Sequence, residues 1–204
     1  MRQGLRVILS KLVDLLLVAT VGAVACTCEP GALVRAEVGT SSEMTIASPD
    51  RRLVVLVRAA PDDKTRARLF LQSRSSPSKT RLLCDYGRSG LVVWGPDSQS
   101  IIFIDYHSAD DSRLRIFRIR GGQILALRDA DAIVRGYASR PIRGREILSY
   151  ALGLSRFDGP LLPVVEVHIR YMPDHKGTGP SVSIDESVGY NLFSGAVIRV
   201  THAE

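Results

Sequence analysis

The densest set of titratable side chains in this sequence lies in one short stretch, where His107 stands beside Asp105, Asp110 and Asp111. An imidazole with several carboxylates is the set that general acid–base work on a cell-wall polymer needs. Carboxylates gathered in one hairpin are also the hard oxygen donors that Ca²⁺ takes. Neither chemistry has its usual spacing here, since no EF-hand or repeat-type calcium pattern occurs. The pairs Asp62-Asp63 and Asp110-Asp111 stand where a hairpin reverses in water, and turn chemistry accounts for them. The other histidines, His168, His175 and His202, show no paired zinc spacing with His107. There is no Gly-x-Ser-x-Gly elbow and no Gly-rich loop ending in Gly-Lys-Ser/Thr. These residues assign no catalytic group, no metal and no cofactor.

Arginine carries the second chemistry. Arg113, Arg115, Arg118 and Arg120 fall in one run, with Arg66, Arg68, Arg74, Lys79, Arg81 and Arg88 before it and Arg135, Arg140, Arg143 and Arg145 after. In Arg113-Leu114-Arg115-Ile116 a strand would place the arginines on one face and the apolar residues on the other. Such a run serves either as a solvated face that discourages edge pairing or as an anion-binding patch. The partners of that patch would be an anionic glycan, a lipid surface or an acidic envelope protein. Trp94 and Tyr106 are candidates for sugar stacking, with packing as the alternative use of the indole. Nucleic acid is excluded as a partner, because no recognition helix is present and the chain carries an export signal.

That signal is at the start. Arg2, Arg6 and Lys11 precede an apolar run from Leu12 to Ala25 that is broken only by Asp14 and Thr20. A basic start, a short apolar core and small residues before a cut mark a signal peptide at 1–25. A retained membrane anchor and a buried helix are the alternatives, and the run is shorter than the ~20 residues that span a bilayer. Ala23-Val24-Ala25 fits ordinary signal cleavage, while Ala23-Val24-Ala25-Cys26 resembles the lipobox of bacterial lipoproteins. The lipobox resemblance implies that Cys26 is lipidated and holds the chain on a membrane of the bacterial periplasm or cell surface. The three cysteines are an odd count. With Cys26 lipidated, Cys28 and Cys84 are left as a candidate disulfide; alternatively Cys28 is a spectator and Cys84 a small buried hydrophobe. Loss of residues 1–25 leaves 24 basic against 20 acidic groups, so the basic character belongs to the domain.

The elements that must position these groups are repeated. Ala47-Ser48-Pro49-Asp50, running into Leu53-Val54-Val55-Leu56-Val57, returns 47 positions later as Trp94-Gly95-Pro96-Asp97 before Ile101-Ile102-Phe103-Ile104. Proline presets φ and the aspartate accepts backbone N–H groups just ahead, so each phrase is a turn feeding a strand: Pro49-Asp50 and Pro96-Asp97. An acidic hairpin, a second strand, a Gly or Ser turn and a third strand follow each copy. A period of 40–50 residues marks sheet-repeat architectures such as propellers.

These residues resemble the WD40-like repeat of the TolB-type periplasmic propellers, whose units open on Trp-Ser-Pro-Asp-Gly. Trp94, Pro96 and Asp97 match in one copy and Ser48, Pro49 and Asp50 in the other. Gly95 stands in place of the serine, and Arg51 and Ser98 in place of the glycine. The resemblance covers residues 44–128 and implies blades that bind partners, with no fixed catalytic residue in the repeat.

A third unit is expected from Arg145–Tyr150, Pro163–Tyr171 and a tail hairpin closing on Ser194-Gly195. No helix is expected after the leader. The chain therefore reads as all-β: a signal helix at 1–25, a tether at 26–43 and a domain of two to three propeller-blade-like antiparallel sheets at 44–204, in units of about 44–90, 91–134 and 135–204. Propellers take 4–8 blades, so an open stack, a small closed propeller or a partial one completed by a second copy through its open edges are the forms expected. The function expected is a non-catalytic binding or scaffold module of the envelope. A small hydrolase or lyase acting on cell-wall polymer, using His107, is the competing reading, and a decayed propeller is the third.

Overall fold

The computed structural model describes residues 33–41, 43–173 and 179–199. The leader at 1–25, Cys26, Cys28, His175 and His202 lie outside the described residues.

Each Pro-Asp phrase delivers the chain into an apolar strand. Strands β1 (Arg35–Gly39) and β2 (Met44–Ala47) precede the first phrase, and β3 (Leu53–Ala60), β4 (Asp63–Ser73) and β5 (Ser76–Gly87) follow it. Strand β6 (Ser89–Trp94) leads into the second phrase, and β7 (Ser100–Tyr106), β8 (Arg113–Arg120) and β9 (Gln123–Ala126) come after. A helix, α1 (Ala130–Ala138), and a 3₁₀ turn at Arg140–Ile142 lead to β10 (Glu146–Phe157), β11 (Pro163–Met172), β12 (Val182–Tyr190) and β13 (Val197–Arg199). Pairing gives three antiparallel sheets, β2-β3-β4-β5, β1-β6-β7-β8-β9 and β10-β11-β12-β13, none of them closed on itself. The described residues are mostly β with one α-helix, in line with the all-β class expected.

Two elements differ from the sequence reading. Part of the segment expected to be a tether is strand β1, which pairs with β6 from Arg35 opposite Val93 to Gly39 opposite Ser89 and buries Val38. Among the described residues the path thus runs first through the second sheet and then crosses to start the first. The helix α1 corrects the expectation of none: it buries Ala130, Val134 and Ala138, and Asp131 Oδ1 accepts the Leu114 N–H at 2.8 Å. Its nine residues are too few for a helix to hold by itself in water, so tertiary packing holds it.

The sheets stack through two cores. Val55, Val57, Leu69 and Cys84 of the first sheet meet Trp94, Ile101, Phe103 and Phe117 of the second. On the other side Ile102, Ile104, Leu114 and Ile116 meet Tyr150, Leu152, Val165 and Ile169 of the third sheet, with α1 beside them. Trp94 is fully buried and its indole Nε1–H donates to Ile46 O at 3.2 Å, tying the second sheet to the first.

The two Pro-Asp turns are one design with a hydroxyl exchanged. In the first, Ser48 Oγ donates to Asp50 Oδ1 at 2.7 Å and the Arg52 N–H donates to the same oxygen at 3.0 Å. In the second, Gly95 takes the place of Ser48 and Ser100 the place of Leu53. Ser100 Oγ then donates to Asp97 Oδ1 at 2.7 Å, beside the N–H groups of Gln99 and Ser100 at 2.9 and 3.0 Å. A Cβ added to Gly95 would lie 2.1 Å from Ser100 Oγ. The hydroxyl of Ser100 therefore fills the space a serine at 95 would need. Gly95→Ser is expected to destabilise by about 1–3 kcal/mol through overpacking, and addition of Ser100→Ala to recover most of that loss. Urea melts of the four-member cycle read the coupling, and strictly additive losses would refute the exchange.

Candidate functional site

The acidic hairpin after β7 is taken apart by the fold. Asp105 is 1% exposed, points toward the first sheet and accepts from Arg115 Nη2 at 2.8 Å. Asp111 accepts from Arg135 Nη2 of α1 at 2.8 Å, and Arg135 also donates to Ser112 O at 3.2 Å. The Arg135 guanidinium lies 3.7 Å from the centre of the Tyr150 ring, a close cation–π contact. Asp110 is 3.8 Å from Arg170 Nη2. The Ser112 N–H donates to Tyr150 O at 2.9 Å and the Tyr150 N–H to Asp110 O at 2.8 Å, which stitches the hairpin to β10. His107 is exposed. The carboxylates that could have served acid–base or calcium chemistry are spent on three different cations. Among the described residues no group of three or more His, Cys, Asp or Glu is arranged to hold a metal ion.

Burial pushes the Tyr150 hydroxyl pKa up, Asp131 adds to the rise and Arg135 opposes it. That hydroxyl is buried with no hydrogen-bond partner among the described residues. Arg135 itself is pulled down by burial, but the Asp111 hydrogen bond and the charges of Asp131 and Asp111 outweigh this and raise it.

The arginines of β8 do not form one patch. Arg113 and Arg115 share the face of Phe117 and Ile119, toward the first sheet, while Arg118 and Arg120 share the face of Leu114 and Ile116, toward the third. Arg115 is bound to Asp105, Arg113 lies 3.9 Å from Asp111, and Arg118 donates to Leu192 O at 3.4 Å. Trp94 is buried in the core and so takes its packing role. His168, opposite Asp185 on the outer face of the third sheet, places Nδ1 2.5 Å from Asp185 Oδ1. Cys84 is a buried thiol in the core between the first two sheets, and burial pushes it up to about 12; its candidate partner Cys28 lies outside the described residues.

A different group of arginines is gathered at one end of the first two sheets. A cleft of about 680 Å³ opens between the two Pro-Asp turns, the β4–β5 hairpin and the glycine turn after β8. Arg51, Arg52 and Arg74 line it, Leu53 and Ile119 give it an apolar wall, and Ser73, Ser75, Ser98 and Gln99 bring polar groups. The Asp50 N–H donates to Ser98 Oγ at 3.0 Å, joining the two turns across the cleft. Arg81 donates to Gly122 O and ties the glycine turn to the first sheet. Burial pulls Asp50 up, but the Ser48 hydroxyl, the Arg52 N–H and the Arg52 charge outweigh it and leave the carboxyl below its usual range.

Two residues at the cleft are strained. Arg51 and Ser98, which follow the turn aspartates, have φ of 60° and 54°. A side chain costs about 1–2 kcal/mol in this left-handed region, and glycine almost nothing. These are the two positions where the resembled repeat carries glycine. The departure was visible in the sequence, but its meaning needed the turn geometry.

No protein-family model matches the chain, and no curated protein matches it. Among solved structures it is similar to the apo form of the AtxE2 isopeptidase, at 12% identity and a TM-score of 0.39. The match covers 84% of this chain and 31% of that one, so the chain spans under a third of the isopeptidase's length. A likeness this slight carries no argument about function.

Arg115→Met leaves the Asp105 carboxylate buried and uncompensated, with an expected loss of about 3–5 kcal/mol. The paired change Asp105→Leu with Arg115→Met is expected to restore most of it, as read from urea midpoints. Tyr150→Phe removes a buried hydroxyl that lacks a partner, and the expected result is neutral to about 1 kcal/mol stabilising. A clear loss on thermal melting would show that the hydroxyl is bonded in solution.

Proposed function

We propose that this chain is an exported, lipid-anchored protein of the bacterial cell envelope that acts as a non-catalytic binding and scaffold module, built from WD40-like blades of the TolB type. One observation carries the reading: strands β2-β3-β4-β5 and β6-β7-β8-β9 pair in the same antiparallel order and share the conformation of the Pro-Asp turn, down to the left-handed residue after the aspartate. Repeats of this kind place their turns at one end of the stack, where they form a surface for a partner. The basic end cleft is that surface here, and the partner is an anionic component of the envelope.

The competing reading, a hydrolase or lyase working through His107, has less support. Its carboxylates Asp105 and Asp111 are engaged by Arg115 and Arg135. The Cys26 anchor fits the binding reading, because it would hold the module at a membrane surface. Open sheet edges at β5, β9 and β13 suit pairing with a second copy or a partner strand.

The test is the intact mass of the protein purified from membranes of an expressing bacterium, with and without reductant. A chain beginning at Cys26 and carrying diacylglycerol and a fatty acid is expected. An unmodified 26–204 mass would remove the anchor and leave export standing. A full-length 1–204 chain recovered from the cytosol would overturn the whole proposal.

A further inference from the structure

We infer that the cleft between the two Pro-Asp turns binds a phosphorylated sugar unit; the inference rests on the binding-module reading above and names the ligand of its end surface. The argument begins with charge. Three guanidinium groups line the cleft, from Arg51, Arg52 and Arg74, with one carboxylate, Asp50. Asp50 is already taken: Oδ1 accepts from Ser48 Oγ and the Arg52 N–H, and Oδ2 lies 3.9 Å from Arg52 Nε. Arg51 and Arg74 have no acidic partner among the described residues. Two unengaged guanidinium forks suit a dianionic tetrahedral group, which each can meet with paired N–H donors.

Strain supplies the second step. Of the three left-handed side chains, Arg51 and Ser98 line the cleft and Arg88 does not, and the two at the cleft are not equivalent. Ser98 has an internal use, since its hydroxyl accepts the Asp50 N–H and joins the turns. Arg51 has none among the described residues, although it sits at φ 60° where glycine would be relaxed. A strained residue with no intramolecular use, lining a cavity, is explained by what enters the cavity.

Size and lining supply the third. A volume of about 680 Å³ is far larger than a phosphate ion and falls in the range of small-molecule sites. Leu53 and Ile119 offer an apolar wall for the C–H face of a pyranose. Ser75 and Gln99, both exposed at the rim, offer partners for its hydroxyls. The turns that frame the cleft are held by hydrogen bonds before any ligand arrives, so little ordering is left to be done on binding.

The test is calorimetric titration of the mature chain with glucose 6-phosphate, with glucose and inorganic phosphate as separate probes. Glucose 6-phosphate is expected to bind at least tenfold more tightly than either. Arg51→Gly and Arg74→Gln are each expected to weaken it at least tenfold. Arg51→Gly is expected to melt no lower than the parent, since it relieves the left-handed arginine, so lost binding cannot be assigned to lost fold. Equal affinity for inorganic phosphate would overturn the sugar assignment, and unchanged binding in both variants would overturn the site. Retention on phosphatidylglycerol vesicles without glucose 6-phosphate binding would replace the proposal with a membrane-facing surface. A mass beginning at Cys26 with lipid, together with no binding of glucose 6-phosphate, would sink this inference and leave the envelope module in place.

Discussion

Because the second sheet lies between the other two, its strands must bury both of their faces, and β7 does so with Ile101, Ile102, Phe103 and Ile104 all fully buried. A sheet in that position cannot show the usual alternation of apolar and polar residues. Each polar side chain it carries must find a partner inside the stack or reach past its end. Asp105 is matched by Arg115, and Arg118 reaches the carbonyl of Leu192 in the turn between β12 and β13. The net gain from such a buried pair is small, because desolvation cancels most of the attraction. A mismatch, by contrast, is severe. Such partners set which polar groups the stack can bury, while the two apolar cores supply the free energy that holds the sheets together.

The same constraint explains why the arginine run of β8 was easy to see and hard to interpret. Arg113, Arg115, Arg118 and Arg120 are close in sequence, but a strand alternates, and the step from 115 to 118 changes face. Two arginines look toward the first sheet and two toward the third. Proximity along a chain makes a patch on a helix turn or a loop; on a two-sided strand it makes two unrelated pairs. The hairpin carboxylates went the same way, since Asp105 and Asp111 serve cations on different elements.

The repeat was legible because its signals are local. A Pro-Asp turn and the β-branched strand after it are specified within about ten residues, so both copies and most strand positions could be read directly. The third sheet was legible for the same reason, from the alternation in β11 and the Ser194-Gly195 turn. Strand β1 was not. Arg-Ala-Glu-Val-Gly has one buried residue, Val38, and its pairing partner is β6, fifty or more residues away. Helix α1 contains Ile133, Val134 and Gly136, all poor helix formers, and its stability comes from its buried face, from the contact of Asp131 with β8 and from that of Arg135 with the β7–β8 connection. The end cleft belongs to the same class. Arg51, Arg74 and Ser98 come from separate turns, and only the stacking of two sheets gathers them.

The two ends of the stack are finished in different ways, and this bears on how three sheets can stand in water without closing. The outer face of the third sheet is polar, with Glu166, His168 and Arg170 on β11 and Asp185 opposite His168. The outer face of the first sheet instead carries an apolar row, Leu56 beside Phe70 beside Leu82. It is shielded by its own long side chains: the Arg58 guanidinium lies 5.7 Å over the Phe70 ring, and Arg68 reaches Asp62 and Asp85, both at 3.4 Å. Arginine stems cover apolar surface while their heads stay hydrated. Leu82 nevertheless remains 53% exposed, so this shield is incomplete. The outer face of the first sheet is thus apolar and dressed with charge, and that of the third is mostly polar. The stack therefore has a direction, running from a covered apolar end to a polar cap, and the basic cleft opens at the turns of the covered end.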